Sequence, residues 1–243
     1  MLLRRFIEHV KDQNWFAVGL DVIVVIVGIF LGMQVTDWNE HRKDNAIELK
    51  TLAEIKKNLE GDLDEIRNDI GHMYEMESQG KMIIEYLKTN ETPNEEFFGW
   101  ASRLRLIPHF DENRSGYDLL KNHGVDLIKN DEIREALSGL YERYYSYYAV
   151  YERERMDFHR VNSMPRLIEY FYMPLDYSNG NWLEYDFVIT NEDYQKLRSD
   201  TQFVKLIHAI IYENSAIVNR ASLMEEMILK LITMIDEELI SRQ

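Results

Sequence analysis

Cysteine is absent from all 243 residues. That excludes disulfides, thiolate metal sites and a cysteine nucleophile, although it does not fix the redox compartment. Proline and glycine are scarce, at four and eleven, so little interrupts a long helix. Positive charge is also short: 28 Lys and Arg face 43 Asp and Glu, for a formal net charge of −15. Phosphate backbones are repelled by such a chain, and a nucleic-acid partner is not expected.

Recognisable chemistry is missing too. The seven histidines, His9, His41, His72, His109, His123, His159 and His208, are scattered, with no two on an i, i+4 helix face and no H-E-x-x-H. Asp69-Ile-Gly-His72 has the acid-x-x-His spacing of di-iron bundles, but those sites need two such motifs and further glutamates. No Walker loop, G-x-S-x-G or G-x-G-x-x-G occurs. The expectation is a non-enzyme with no catalytic residues, no cofactor and no metal.

What is present begins with WFAVGLDVIVVIVGIFLGMQVTDW, residues 15–38. From Trp15 to Trp38 a helix covers about 34 Å at about 1.5 Å per residue. A bilayer core is about 30 Å thick, so the run predicts a transmembrane helix with a tryptophan anchor at each interface. A buried core helix and a cleaved signal peptide are the alternatives. Residues 1–14 place Leu3, Phe6, Ile7 and Val10 on one face and read as an interfacial amphipathic segment. Arg4, Arg5 and Lys11 on the short N-terminal flank favour a cytoplasmic N-terminus, with the C-terminal domain on the far side.

One acid, Asp21, lies inside the run. At about 100° per residue it shares a stripe with Asn14, Ala17, Val25, Gly28, Gly32 and Val35. Gly28-Ile-Phe-Leu-Gly32 is a G-x-x-x-G motif, which lets two helix backbones approach closely. An ionisable group inside a bilayer should face protein or water rather than lipid. The stripe therefore reads as a helix-packing face for a homo-oligomer or a partner membrane protein. A hydrated acid near the interface, and an acid on an ion path, remain the competing explanations.

Past Trp38 the sequence predicts a soluble, all-α domain over 39–243, with long helices at about 45–88, 132–160 and 200–240. The transmembrane helix is expected to run on into the first of these, and the rest to form a C-terminal helical bundle. Leu52, Leu59, Ile66, Met73 and Leu87 are related by sevens, with Leu63, Ile70 and Ile84 as the intervening seam and Gly61, Gly71 and Gly80 as possible bends. Asn130 or Asp131 can cap the helix from 132. In it, Tyr141, Tyr144, Tyr148 and Tyr151 form a stripe, expected to be core rather than a ligand cleft. LEYDFVIT (183–190) has no evident strand partner. The last helix carries a 4-3 seam from Phe203 to Ile235, broken by one polar residue, Asn214. Coiled-coil assembly and an intramolecular antiparallel pair with the 45–88 helix both satisfy it, and the pair is preferred.

Gly19 to Glu40 reads G-x-x-x-V-V-I-V-G-I-F-L-G-M-Q-V-x-x-W-N-E, followed by a charged helix. It resembles the anchor of an uncharacterised family of small single-pass bacterial membrane proteins, which carry an acid early in the span and end it Q-[IV]-x-x-W-N-E. SGYDLLKNHG (115–124) is similar to that family's S-x-Y-x-x-L-K-x-x-G. The resemblance implies a mostly helical, single-pass protein and implies no activity; with the N-terminus cytoplasmic, as the arginine-bearing flank favours, a place in the bacterial inner membrane puts the C-terminal domain in the periplasm. The membrane run alone is similar to small subunits of proton-driven complexes, in which an aspartate works beside a multi-span partner. This chain lacks their proline before the acid. The functional expectation is a self-associating scaffold, assembly or sensor protein; the alternative is an accessory subunit of an ion-coupled membrane complex using Asp21.

Overall fold

The computed structural model describes Arg5, Ile7 and residues 15–89, 91–174 and 187–242. Apart from Arg5 and Ile7, the interfacial segment expected over 1–14 lies outside these residues, as do residues 183–186 of the 183–190 stretch. Two compact units are distinguished, Met1–Thr51 and Leu52–Gln243.

The described residues are all-α. Helix α1 runs from Trp15 to Tyr86 without a break, so Gly61 and Gly71 do not interrupt it. It is followed by α2 (Glu95–Arg103), α3 (Ser115–His123), α4 (Asp131–Ser138), α5 (Tyr145–Phe158), α6 (Met164–Leu167), α7 (Asn191–Arg198) and α8 (Thr201–Ser241). Two π-helical segments, Gly139–Tyr144 and His159–Ser163, join α4 to α5 and α5 to α6. Caps start the helices where polar side chains can take the free amide groups. Asn94 accepts from Phe97 N, Asn130 from Glu132 N and Ile133 N, and Asp200 from Gln202 N. Among the described residues there is no strand; Tyr172 and Val188 make an isolated antiparallel bridge.

In the first unit, α1 is a candidate membrane span by length and composition. The second unit is built on an antiparallel pairing of α1 with α8. Lys56 meets Asp236 at 2.6 Å, Arg67 meets Glu225 at 2.6 Å and Ser215 donates to Glu77 at 3.5 Å. Each step of ten or eleven residues up α1 is matched by the same step down α8. Every residue of the expected α8 seam, Asn214 included, is buried, together with Val218. Gly80 occupies a heptad position of α1 for a steric reason: a Cβ there would lie 3.1 Å from Ile207 Cγ2.

On α1 the buried seven-residue series Leu52, Leu59, Ile66 and Met73 is joined by a second, Ile55, Asp62, Asp69, Met76 and Ile83. The second seam is thus one residue earlier than Leu63, Ile70 and Ile84. Leu63 is buried beside it, while Ile70 and Ile84 are half-buried on its flank. Two of its five positions are aspartates.

The tyrosine stripe also differs from expectation. Tyr141, Tyr145 and Tyr148 are buried, whereas Tyr144 is 37% exposed and Tyr151 half-buried. A π turn takes one extra residue, so the face that enters as Leu137 and Tyr141 leaves as Tyr145, Tyr148 and Glu152 instead of Tyr144 and Tyr151. Tyr117 stacks on Tyr141 with ring centroids 4.4 Å apart. Gly116, before it, sits so close to α1 that an added Cβ would lie 2.8 Å from Asn58 Oδ1 and 2.9 Å from Ile55 N.

The second unit has two apolar cores. One gathers α1 from Leu52 to Met73, α3, α4, α5 and α8 from Ile217 to Ile235. The other gathers α1 from Met76 to Ile83, Leu87 just after it, α2, α7 and α8 from Phe203 to Ile210. Between Ile210 and Ile217 the α8 seam carries Asn214, and a polar cluster lies at this junction.

Candidate functional site

Two places concentrate features that plain packing does not require. The first is the stripe on the membrane-length part of α1. Every Val, Ile, Leu, Phe and Met from 22 to 35 is between 44% and 64% exposed. Around Gly28 and Gly32 a Cβ would meet nothing within 4 Å. Thr36 donates its hydroxyl to the Gly32 carbonyl at 3.1 Å, as a polar side chain does when it must satisfy itself within its own helix. Asp21 is half-buried. Trp15 and Trp38 are exposed at the two ends, and the Arg42 guanidinium lies 5.6 Å over the Trp38 ring.

The second place is inside the helical bundle, where charged groups are buried that the sequence pattern placed on no site. Asp62, Asp69, Glu152, Arg155 and Asn214 are each at most 7% exposed. Charged side chains are rarely this buried without partners, and here the partners come largely from the non-helical segment 108–113. Phe110 N donates to Glu152 Oε1 at 3.1 Å and Asp111 N to Glu65 Oε1 at 3.2 Å. Asn113 N donates to Asp62 Oδ1 at 2.9 Å, and Arg155 Nη2 donates to the Pro108 carbonyl. Backbone groups that a helix would have satisfied internally are taken up by side chains of α1 and α5. Tyr145 adds its hydroxyl to Asp62 Oδ2 at 2.7 Å. Arg155 Nη1 reaches Asn214 Oδ1 at 3.4 Å, and the Asn214 amide donates to Met76 Sδ at 3.7 Å, so one chain of contacts crosses α5, α8 and α1.

Satisfaction is incomplete. Asp69 Oδ2, Glu152 Oε2, Tyr148 Oη and Arg155 Nε are buried with no hydrogen-bond partner among the described residues. His109 Nδ1 lies 3.3 Å from Glu152 Oε2 without the alignment of a hydrogen bond, and its Nε2 lies 3.2 Å from Asp111. The His109 side chain is 47% exposed and Glu152 3%, so the histidine lies between the buried acid and solvent.

Electrostatics here are set by burial. Loss of water pushes the Glu152 carboxyl up to about 7; Phe110 N–H, His109 and Arg155 oppose the rise and Asp69 adds to it. The same cause pushes Asp62 up to about 6 against the pull of Tyr145 and Asn113. Asp69 rises through burial and the charge of Glu65, opposed by Arg155, His72 and His109. Burial holds Arg155 below its usual range, with Tyr148, Glu152 and Asp69 pulling it back. His159 is lowered by burial and by Arg155. A cavity of about 20 Å³ beside Arg155, His159, Ser163 and Asn214 has room for roughly one water-sized sphere. Among the described residues, no group of three or more His, Asp or Glu is placed to hold a metal.

Asp21, Gly28, Gly32, Trp15 and Trp38 are all singled out by the sequence; the buried cluster is not. Its one signal is arithmetic: Asp62 and Asp69 sit seven residues apart, each seven from an apolar residue of the same series. Asp69 and His72 do act on one another, but within this mixed cluster and without a second acid-x-x-His pair.

Compared with family models, curated proteins and solved structures, the chain finds no match in any of the three.

Proposed function

We propose that this is a membrane-anchored, non-enzymatic helical protein that self-associates through the Asp21, Gly28 and Gly32 face and acts as a scaffold, assembly or sensor component. The carrying observation is the exposure of every aliphatic and aromatic side chain from 22 to 35 on one unbroken helix. A stretch of that length in water would be an aggregation hazard, whereas lipid satisfies it. The open space beside Gly28 and Gly32 supports close approach of a second copy on the stripe that also carries Asp21, an acid that should face protein or water. Arg4, Arg5 and Lys11 before the span favour an N-terminus in the cytoplasm and a bundle across the bacterial inner membrane. The likeness of the anchor to single-pass bacterial membrane proteins supports the same placement.

The test is the oligomer order of the full chain in liposomes, read by energy transfer between labelled copies. Gly28→Leu or Gly32→Leu is expected to lower it by blocking close approach. Unchanged transfer in both variants would remove the packing-face reading.

A further inference from the structure

We infer that the Asp69, Glu152 and Arg155 cluster beneath segment 108–113 is a proton-binding site that controls how tightly the segment is held to the bundle. Two buried carboxyls and one buried guanidinium act on one another by charge without a close ion pair, and each carboxyl has an oxygen with no hydrogen-bond partner among the described residues. In a low-dielectric interior that arrangement is balanced only when the pair of acids holds one proton. Glu152 is the better holder. It is the more deeply buried, and its Phe110 contact uses Oε1, leaving Oε2 to carry the hydrogen.

Each element packed against the pair adds its own groups. Helix α1 contributes Glu65 and His72; the 108–113 segment contributes His109, Asp111 and Glu112; α5 contributes Tyr148, with His159 after it; and α8 contributes Asn214 and Glu213. Only Arg155 among them is a permanent cation. His109 supplies the exit. Its Nδ1 is 3.3 Å from Glu152 Oε2, and the ring is half exposed. On deprotonation the Glu152 O–H bond breaks and the proton passes to solvent along the edge of this half-exposed ring.

Loss of that proton has a mechanical result. With both acids ionised the interior carries one uncompensated negative charge, and the cheapest relief is water. The segment covering the cluster is held by backbone bonds to Glu152, Glu65, Asp62 and Arg155 rather than by a helix of its own, so it is the piece that lifts. The proton site is independent of the membrane face: each is read on a different part of the chain, so either can fail alone.

The experiment is deuterium exchange of the Phe110, Asp111 and Asn113 amides in the full chain in lipid nanodiscs, corrected for intrinsic rate, from pH 5.5 to 8.5. Protection should fall by up to tenfold per pH unit as pH rises toward the folded Glu152 value of about 7, and level off above it, as expected for one linked proton. Glu152→Gln, a neutral mimic of the protonated acid, should flatten the fall at Phe110 and leave at Asn113 only the part set by its own acid, Asp62. Constant protection in the unsubstituted chain, or an equal fall at Phe110 in Glu152→Gln, would overturn the inference. Should that variant fail to fold, the infrared carboxyl band of an Asp62→Asn chain, which lacks the other raised acid, decides: a protonated-acid band at pH 6 that is lost by pH 8.5 supports the site, and its absence at pH 6 ends it.

Discussion

Tyr145 donates its hydroxyl to Asp62 Oδ2 at 2.7 Å, and Asn113 N donates to the other oxygen of the same carboxylate at 2.9 Å. One buried acid of α1 thereby fixes both the helix after a π segment and the strap that crosses it. Tyr145→Phe removes the phenol that donates to Oδ2 and leaves a buried carboxylate oxygen short of a partner. The cost should be about 1–3 kcal/mol. Because Asp62 is pushed up to about 6, the loss should be larger at pH 8, where the carboxylate is charged, than at pH 5. Urea denaturation at the two pH values checks it; equal losses would show that the phenol does not serve the charged form.

The pH dependence of the unsubstituted bundle has a definite sign. Glu152 and Asp62 have folded values of about 7 and about 6, above their ordinary values of 4.5 and 3.8. The folded state holds more protons than the unfolded one through that window. Stability from these groups is fully present below pH 3.8 and is lost as pH rises through about 6 and about 7. Melting of the full chain in detergent should therefore fall in temperature between pH 5.5 and 8. A rise across that interval would contradict the assigned burial of the two acids.

Removing the one cation of the cluster should be severe. Arg155→Met removes the positive charge that acts on Asp69 and Glu152, frees the Pro108 carbonyl and takes a partner from Asn214. Each buried polar group left without its partner costs about 1–3 kcal/mol. The deficit should grow with pH, since acidification neutralises the remaining charges. A denaturation midpoint within experimental error of the original would show that Arg155 is held for shape alone.

Two glycines separate steric need from helix propensity. Gly116→Ala drives a Cβ to 2.8 Å from Asn58 Oδ1 and 2.9 Å from a backbone nitrogen, which cannot retreat; a loss of about 1–3 kcal/mol is expected. Gly61 is exposed in mid-helix with nothing near its Cβ position, and Gly61→Ala should gain about 0.5–1 kcal/mol. The pair of melting temperatures tests both, and a stable Gly116→Ala would mean that α3 can shift off α1.

The helices and the α8 seam are legible in the sequence because Phe203 to Ile235 keeps a clean 4-3 repeat that only Asn214 interrupts. The antiparallel pairing is legible too, since α1 beyond the membrane carries a seam of matching length. The buried cluster is hidden for two physical reasons. A carboxylate at a seam position looks like solvent face, so Asp62 and Asp69 shift the expected second seam onto Leu63 and Ile70. The π turn over Gly139–Tyr144 adds a residue that no propensity marks, and it puts Tyr145 and Glu152 where Tyr144 and Tyr151 are expected. The stripe of Asp21, Gly28 and Gly32 is read from spacing alone, since nothing lies within 4 Å of a Cβ placed at Gly28 or Gly32.

Self-association through that stripe is directly measurable because the chain has no cysteine of its own. Single cysteines placed in turn from 22 to 35, oxidised in native membranes, report which face meets a second copy. Disulfide dimers are predicted at Val25→Cys, Gly28→Cys, Gly32→Cys and Val35→Cys, and few at Ile26→Cys and Phe30→Cys on the opposite side. Equal cross-linking all round, or a maximum at Ile26 and Phe30, would contradict a shared Asp21, Gly28 and Gly32 face.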